Sequence, residues 1–300
     1  MLAFVLLAFS SSCTVMDVDP PSDESEVFTK PEPEYPKSEL ERRREGWVLV
    51  AYSVSRGGII EDLYVRESSG NSNLDQAALE GVRKWRYAPG EQRELSALIS
   101  YVSGQEGTRL SPKFYYQNKQ AHELIDEGEL EHASEVLAIA RDDKDLHPSE
   151  LAYSFLTEGR IASERGNTAE QLHYYRKAML DDGRWLARED YLDVLYVAIV
   201  FALDQGDFAS AVRDYELLTE SRSGRKLGKD LEDLVRTARV RIEADPSVMQ
   251  PYAVADSSMT VKGNLPPRQY HTFDQQRQPG SGRHGMYNPK KSPSGGAWKD

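Results

Sequence analysis

Residues able to do chemistry are few in this chain, and their spacing does not bring them together. The six histidines are His122, His132, His147, His173, His271 and His284, and no two form the His-Glu-x-x-His pattern that places two zinc ligands on one helical face. His122-Glu123 and Glu131-His132 flank one turn and would approach each other across an antiparallel helix pair. That pairing reads either as a metal site or as a solvated polar face. The lone cysteine, Cys13, follows an apolar run, so no internal disulfide can form and no thiol nucleophile remains in the body of the chain. There is neither a Gly-x-Ser-x-Gly elbow nor a phosphate loop; Gly280-Ser281-Gly282 lies in a tail with no strand before it. The abundant Asp and Glu residues fall at helical surface spacing, which is how charge serves solubility. The residues thus point to a non-catalytic binding protein, with no metal, cofactor or small-molecule substrate.

Charge sharpens that exclusion. A net charge of −12 over 300 residues opposes general nucleic-acid binding, which needs clustered cations to displace phosphate counterions. From Pro246 onward seven Lys or Arg stand against three Asp, so the body is more acidic than the whole and the tail weakly basic.

The elements that position side chains change period along the chain. Residues 14–34 are rich in Asp, Glu, Ser and Pro and read as a solvated tether, able to reach at most ~70 Å when extended. A short helix is predicted around Lys37–Arg44, and Gly46 then releases a strand in which Val48, Val50, Tyr52 and Val54 alternate. Arg56-Gly57-Gly58 marks a hairpin, and Ile60, Leu63 and Val65 carry the second strand with a break that predicts a bulge. Asn73, with Gln76 three residues on, is predicted to cap a helix whose stripe is Leu74, Ala78, Val82 and Trp85. A last strand alternates Leu95, Ala97, Ile99 and Tyr101 on one face with Ser96, Leu98, Ser100 and Val102 on the other.

Order and spacing here resemble the C-terminal domain of TonB-family energy transducers. The features are Tyr35-Pro36, Arg44-Glu45-Gly46, Ser68-Ser69-Gly70, Leu74-Asp75, Trp85-Arg86-Tyr87-Ala88-Pro89 and the final alternating run. The resemblance covers residues 35–104 and implies an α+β fold: a small antiparallel sheet with a helix packed on one face. It also implies a function, β-augmentation, in which an extended segment of an outer-membrane receptor or other envelope protein adds to the sheet edge. On that reading the partner-binding residues are Trp47, Val48, Leu95, Ser96, Ala97, Leu98, Ile99, Ser100 and Tyr101. Trp47 is open to two roles, an exposed indole anchor or a cover over the sheet.

Beyond Pro112 the period becomes about 3.6 and a repeat appears over 112–245. Its segments are Gly128, Leu130, Ala133, Leu137, Ala140; then Gly166, Thr168, Gln171, Tyr175, Ala178, preceded by Gly159; then Gly206, Phe208, Ala211, Tyr215, Leu218. They resemble tetratricopeptide repeats, implying an all-α domain of stacked helix pairs that binds proteins or peptides; plain antiparallel helices are the alternative. The extra length between repeats falls near Asp142–Pro148 and Asp181–Arg188. A final helix, Leu227–Ala244, puts Leu231, Leu234, Val235, Ala238 and Ile242 on one side and is predicted to cap the stack. Residues 246–300 read as mostly disordered, with Ser258–Val261 able to add one strand.

At the N-terminus, residues 1–13 (an apolar stretch, three serines and Cys13) look like a bacterial lipoprotein signal. The resemblance implies cleavage before Cys13 and lipid on its sulfur, with Thr14 favouring the outer membrane; an ordinary signal peptide is the alternative. The apolar run is far shorter than the ~20 residues that span a bilayer. In transducers force arrives through such a spanning helix. The sequence therefore favours a lipid-anchored, periplasm-facing interaction module, with a TonB-type energy transducer for nutrient transport as the alternative.

Overall fold

The computed structural model describes residues 27–104, 108–142, 146–221, 229–244 and 255–263. Cys13, Thr14 and most of the basic tail lie outside them. The chain runs β1 (Val27–Thr29), α1 (Lys37–Glu41), β2 (Gly46–Val54), β3 (Ile60–Ser68), α2 (Ser72–Val82), β4 (Arg86–Tyr87) and β5 (Arg93–Val102). Helices follow: α3 (Pro112–Glu127), α4 (Leu130–Arg141), α5 (Pro148–Glu164), α6 (Thr168–Ala178), α7 (Arg188–Gln205), α8 (Phe208–Ser221) and α9 (Lys229–Ala244), and then a last strand, β6 (Ser257–Lys262).

Alternation in β2 and β5 produces two faces, as a period of two must. Val48, Val50, Tyr52, Val54, Ala97, Ile99 and Tyr101 form one core with Leu74, Ala78, Val82 and Trp85. Trp47, Leu49, Leu98 and Val102 point the other way, into a second core built largely from the helices. The small sheet is thus covered on both sides.

Four strands make this sheet, in the order β3-β2-β5-β6, and not the three antiparallel strands expected. β2 pairs antiparallel with β3 and β5, whereas β6 runs parallel to β5. The expected bulge is present: the β2–β3 register shifts, and Asp62 on β3 has φ +49°.

Several local expectations are corrected. Asn71, not Asn73, caps α2: its side chain accepts from the backbone N–H of Asn73 at 3.0 Å and of Leu74 at 3.4 Å. Asn73 instead donates its amide to Glu39 Oε1 at 2.7 Å, tying α2 to α1. The end of the supposed tether is built into the domain. β1 pairs with β4, and Pro31 O accepts from the Trp85 indole N–H at 2.9 Å. The tail likewise contributes β6. In α9, Val235 and Ala238 are buried, but Leu234 is 54% exposed because it sits at the margin of the stripe they centre.

The motifs now have physical reasons. A Cβ on Gly46 would lie 2.5 Å from Ser69 Oγ, so only glycine lets β2 pass this serine, whose Oγ accepts from Trp47 N at 3.1 Å. Tyr35 donates to Arg44 O at 2.7 Å and meets Tyr101 edge-on at 5.3 Å, closing the domain's start over its last strand.

The helices come in short-turn pairs α3/α4, α5/α6 and α7/α8. Gly128, Gly166 and Gly206 each hold a left-handed conformation where the first helix ends. Ser111, His147 and Asn167 cap α3, α5 and α6. A Cβ on Gly159 would come within 2.4 Å of the Tyr175 ring, which accounts for the small residue where α5 crosses α6. Among the described residues no helix is long and apolar enough to cross a membrane.

Candidate functional site

β5 is the place to build from, because it carries most of the predicted contact residues and is the last strand before the helices. Along it the burial is nearly complete: Ala97, Ile99 and Tyr101 are fully buried against the α2 side, Leu98 and Ser100 almost so against the helices, and Ser96 at the margin. Leu95 is half-buried. These side chains therefore offer no free surface, and what β5 can present laterally is its backbone.

That lateral edge is occupied. β6 pairs with it residue by residue, from Ala97↔Ser257 to Val102↔Lys262. The ladder is closed at both ends. Asp256 N donates to Ser96 O at 3.0 Å, and Gly263 N donates to Val102 O at 2.7 Å. The Asp256 carboxylate also accepts from Ser96 N at 2.5 Å and Ser96 Oγ at 2.9 Å. Of the β6 side chains only Val261 is buried, with Met259 packed partly against the same core.

Trp47 and Val48 sit on β2, one strand inward. Trp47 is 2% exposed and belongs to the apolar cluster that includes Phe114, Tyr153 and Trp185, so its indole covers the sheet and is not an exposed anchor. The reason is tertiary: the helical pairs dock on the face to which Trp47 points. Val48 is wholly buried on the opposite face.

The dock between sheet and helices is polar at its rim. Glu45, immediately before β2, accepts from Ser103 N and Oγ at 2.8 Å each, lies 3.2 Å from Arg109 Nη2 and 3.2 Å from His147 Nε2. Burial alone would raise its carboxyl, yet the hydrogen bonds from His147 and Ser103 and the Arg109 charge outweigh it and hold the group below the usual carboxylate range. Glu150 extends the clasp, accepting from Ser111 N at 2.7 Å and His147 N at 2.8 Å. Lys177 of α6 reaches Glu67 of β3.

Beside β6 lies a cleft of about 260 Å³, bordered by Leu98, Leu180, Tyr191 and Ser258. Arg176 and Asp214 line it as an ion pair buried to 5% and 1% side-chain exposure, an arrangement that ties α6 to α8.

The two histidines considered for metal have different partners. His122 is enclosed by Thr157 Oγ1 at 3.3 Å and Arg160 Nη1 at 2.8 Å, while His132 lies exposed beside Glu129. Burial and the Arg160 charge press His122 down to about 4. Among the described residues no three His, Cys, Asp or Glu side chains converge as metal ligands would.

Sequence reasoning gave Ser258–Val261 strand capacity but no partner, and missed Asp256. The available signal was the apolar character of both faces of β2 and β5, which marks a sheet covered on each side. Nothing local connects Asp256 to a serine 160 residues away.

Residues 31–102 match the family model for the Gram-negative bacterial TonB protein C-terminal. This TonB C-terminal match runs from the proline that receives the Trp85 indole to the last residue of β5, so helices α3 to α9 and β6 lie outside it. Over 72 residues the chain is 37% identical to "Protein tonB2" of Pseudomonas aeruginosa strain PAO1, which is 24% of this chain and 27% of that protein. The chain thus spans about a quarter of the length of the curated relative it matches. The matched region contains the TonB-like sheet strands β2, β3 and β5 together with α2.

Proposed function

We propose that this chain is a non-catalytic protein-interaction module of the cell envelope whose TonB-like sheet receives an extended segment of another envelope protein along β5. The observation that carries this reading is that the TonB C-terminal match ends on β5, whose lateral neighbour is a strand from outside the match. β-augmentation takes its affinity from main-chain hydrogen bonds and its selectivity from alternate side chains. The backbone of Leu95–Tyr101 is the receiving surface; Trp47 and Val48 act beneath it, by setting the shape of the sheet. The segment fitting that surface is the N-terminal stretch of an outer-membrane receptor. Cys13 carries a lipid that holds the protein to the outer membrane, facing the periplasm. The tetratricopeptide-like helix pairs form a second protein-binding surface.

A second reading is favoured by the similarity to tonB2 over the same domain: a TonB-type energy transducer coupling to outer-membrane receptors. The experiment separating the two is photo-crosslinking in living cells from Glu94, an exposed position on β5 at the start of the edge, with captured proteins identified by mass spectrometry. Capture of receptor N-terminal segments, together with loss of receptor-dependent uptake on deletion, supports the transducer. Capture of other envelope proteins with uptake intact supports the interaction module. No capture from Glu94 overturns docking at this edge.

A further inference from the structure

We propose that β6 is an internal stand-in for the partner strand, filling the β5 edge so that an extended segment from another protein adds only after β6 has left. The inference rests on the docking reading above and adds a regulatory step to it.

Three observations carry it. β6 arrives from far along the chain: Asp256 and the Ser96 it contacts are 160 positions apart, with the helical pairs between them. It runs parallel to β5, an orientation that a hairpin continuing from β5 could not produce, so it approaches the edge as a separate peptide would. Finally, its hold is mostly main-chain. It pairs along Ala97–Val102 and buries only Val261 fully, and its side-chain bonds are the Asp256 carboxylate on Ser96 and Thr260 Oγ1, which accepts from Arg184 Nη2 at 3.3 Å. An incoming extended segment would remake the same backbone bonds, leaving the Val261 site, the Thr260–Arg184 bond and the Asp256 clasp as the specific resistance to exchange.

The consequence is a lowered apparent affinity. A strand on the same chain competes at high effective concentration, and a partner sees only the fraction of molecules in which the edge is open. Weakening β6 raises partner affinity, and pinning it abolishes binding.

The test uses the full chain with Cys13→Ser and a fluorescein-labelled peptide of residues 256–263, which carries its own copy of the aspartate. Asp256→Ala in the protein is expected to bind this peptide roughly tenfold or more tightly than the parent, since the open fraction grows. Ser100→Cys with Thr260→Cys places two thiols on a directly paired position, close enough for a disulfide between neighbouring strands. The oxidised form is expected to bind no peptide, and reduction to restore the parent affinity. Equal binding by the oxidised and parent proteins would overturn the proposal, because the peptide would then be adding elsewhere. So would failure of the two thiols to join in a folded protein, or an Asp256→Ala protein binding no more tightly than the parent. If the peptide behaves as expected while crosslinking from Glu94 captures nothing, the strand exchange stands and the docking reading falls.

Discussion

Asp256 and Ser96 grip each other through both backbone and side chain: the Asp256 carboxylate accepts from Ser96 N and Oγ, and Asp256 N donates back to Ser96 O. This is where β6 meets the edge of the TonB-like sheet. A carboxylate accepting a backbone N–H is a charge-assisted bond, stronger than a neutral one.

Removing that clasp has a local signature. Asp256→Ala is expected to cost about 1–3 kcal/mol at the β5–β6 pairing. In hydrogen exchange the amides of Ser96 and β6 should lose protection, while those of Val48–Val50, flanked by β3 and β5, stay slow. Equal loss of protection across β2 would show that β6 is no separable unit.

Trp47 tests the dock between sheet and helices. As a core residue at 2% exposure, its truncation in Trp47→Ala should cost ~3–5 kcal/mol in urea unfolding. A surface anchor would leave stability within about 0.5 kcal/mol of the parent. A near-neutral result would sink the structural role given to it.

Glu45 makes the same dock sensitive to acid. Its folded carboxyl sits below the ordinary value of about 4.3, so its contribution is fully present above that pH and is lost as pH falls through the lower folded value. Glu45→Gln should lower the urea midpoint at pH 7 and flatten the decline below about pH 4. An unchanged midpoint at pH 7 would mean that Arg109, His147 and Ser103 do not depend on the carboxylate.

The His122 ring is also shifted down, which for a base disfavours the charged form. The folded ring is held neutral down to about 4, whereas the unfolded ring takes a proton near 6.5. Between those values the unfolded state binds more protons, so stability falls as pH drops from 6.5 toward 4. His122→Gln should remove that part of the slope. An NMR titration of the ring that gives a midpoint near 6.5 would contradict the enclosure by Thr157 and Arg160.

Much of the TonB-like domain was legible because its signals are local. Alternation around Val48–Val54 and Leu95–Val102 requires a strand with two faces, and the stripe Leu74, Ala78, Val82 can only bury itself by lying on one of them. Gly128, Gly166 and Gly206 announced helix ends because a left-handed residue is cheapest as glycine. The α2 cap was misread by two residues, since Asn71 and Asn73 have equal chemistry and only the fold gives one to the helix and the other to Glu39.

What the sequence by itself determined was therefore the period of each segment, the TonB-like motif order and the lack of a local catalytic pattern. Tertiary structure alone decided that Trp47 is a core residue, that Glu45 joins two domains, and that Ser257–Lys262 fills the edge of β5. The reason is separation along the chain. A contact across 160 residues is selected by the shape and hydrogen-bonding capacity of an edge that does not exist until the rest has folded, so neither Asp256 nor Ser96 carries a sign of the other.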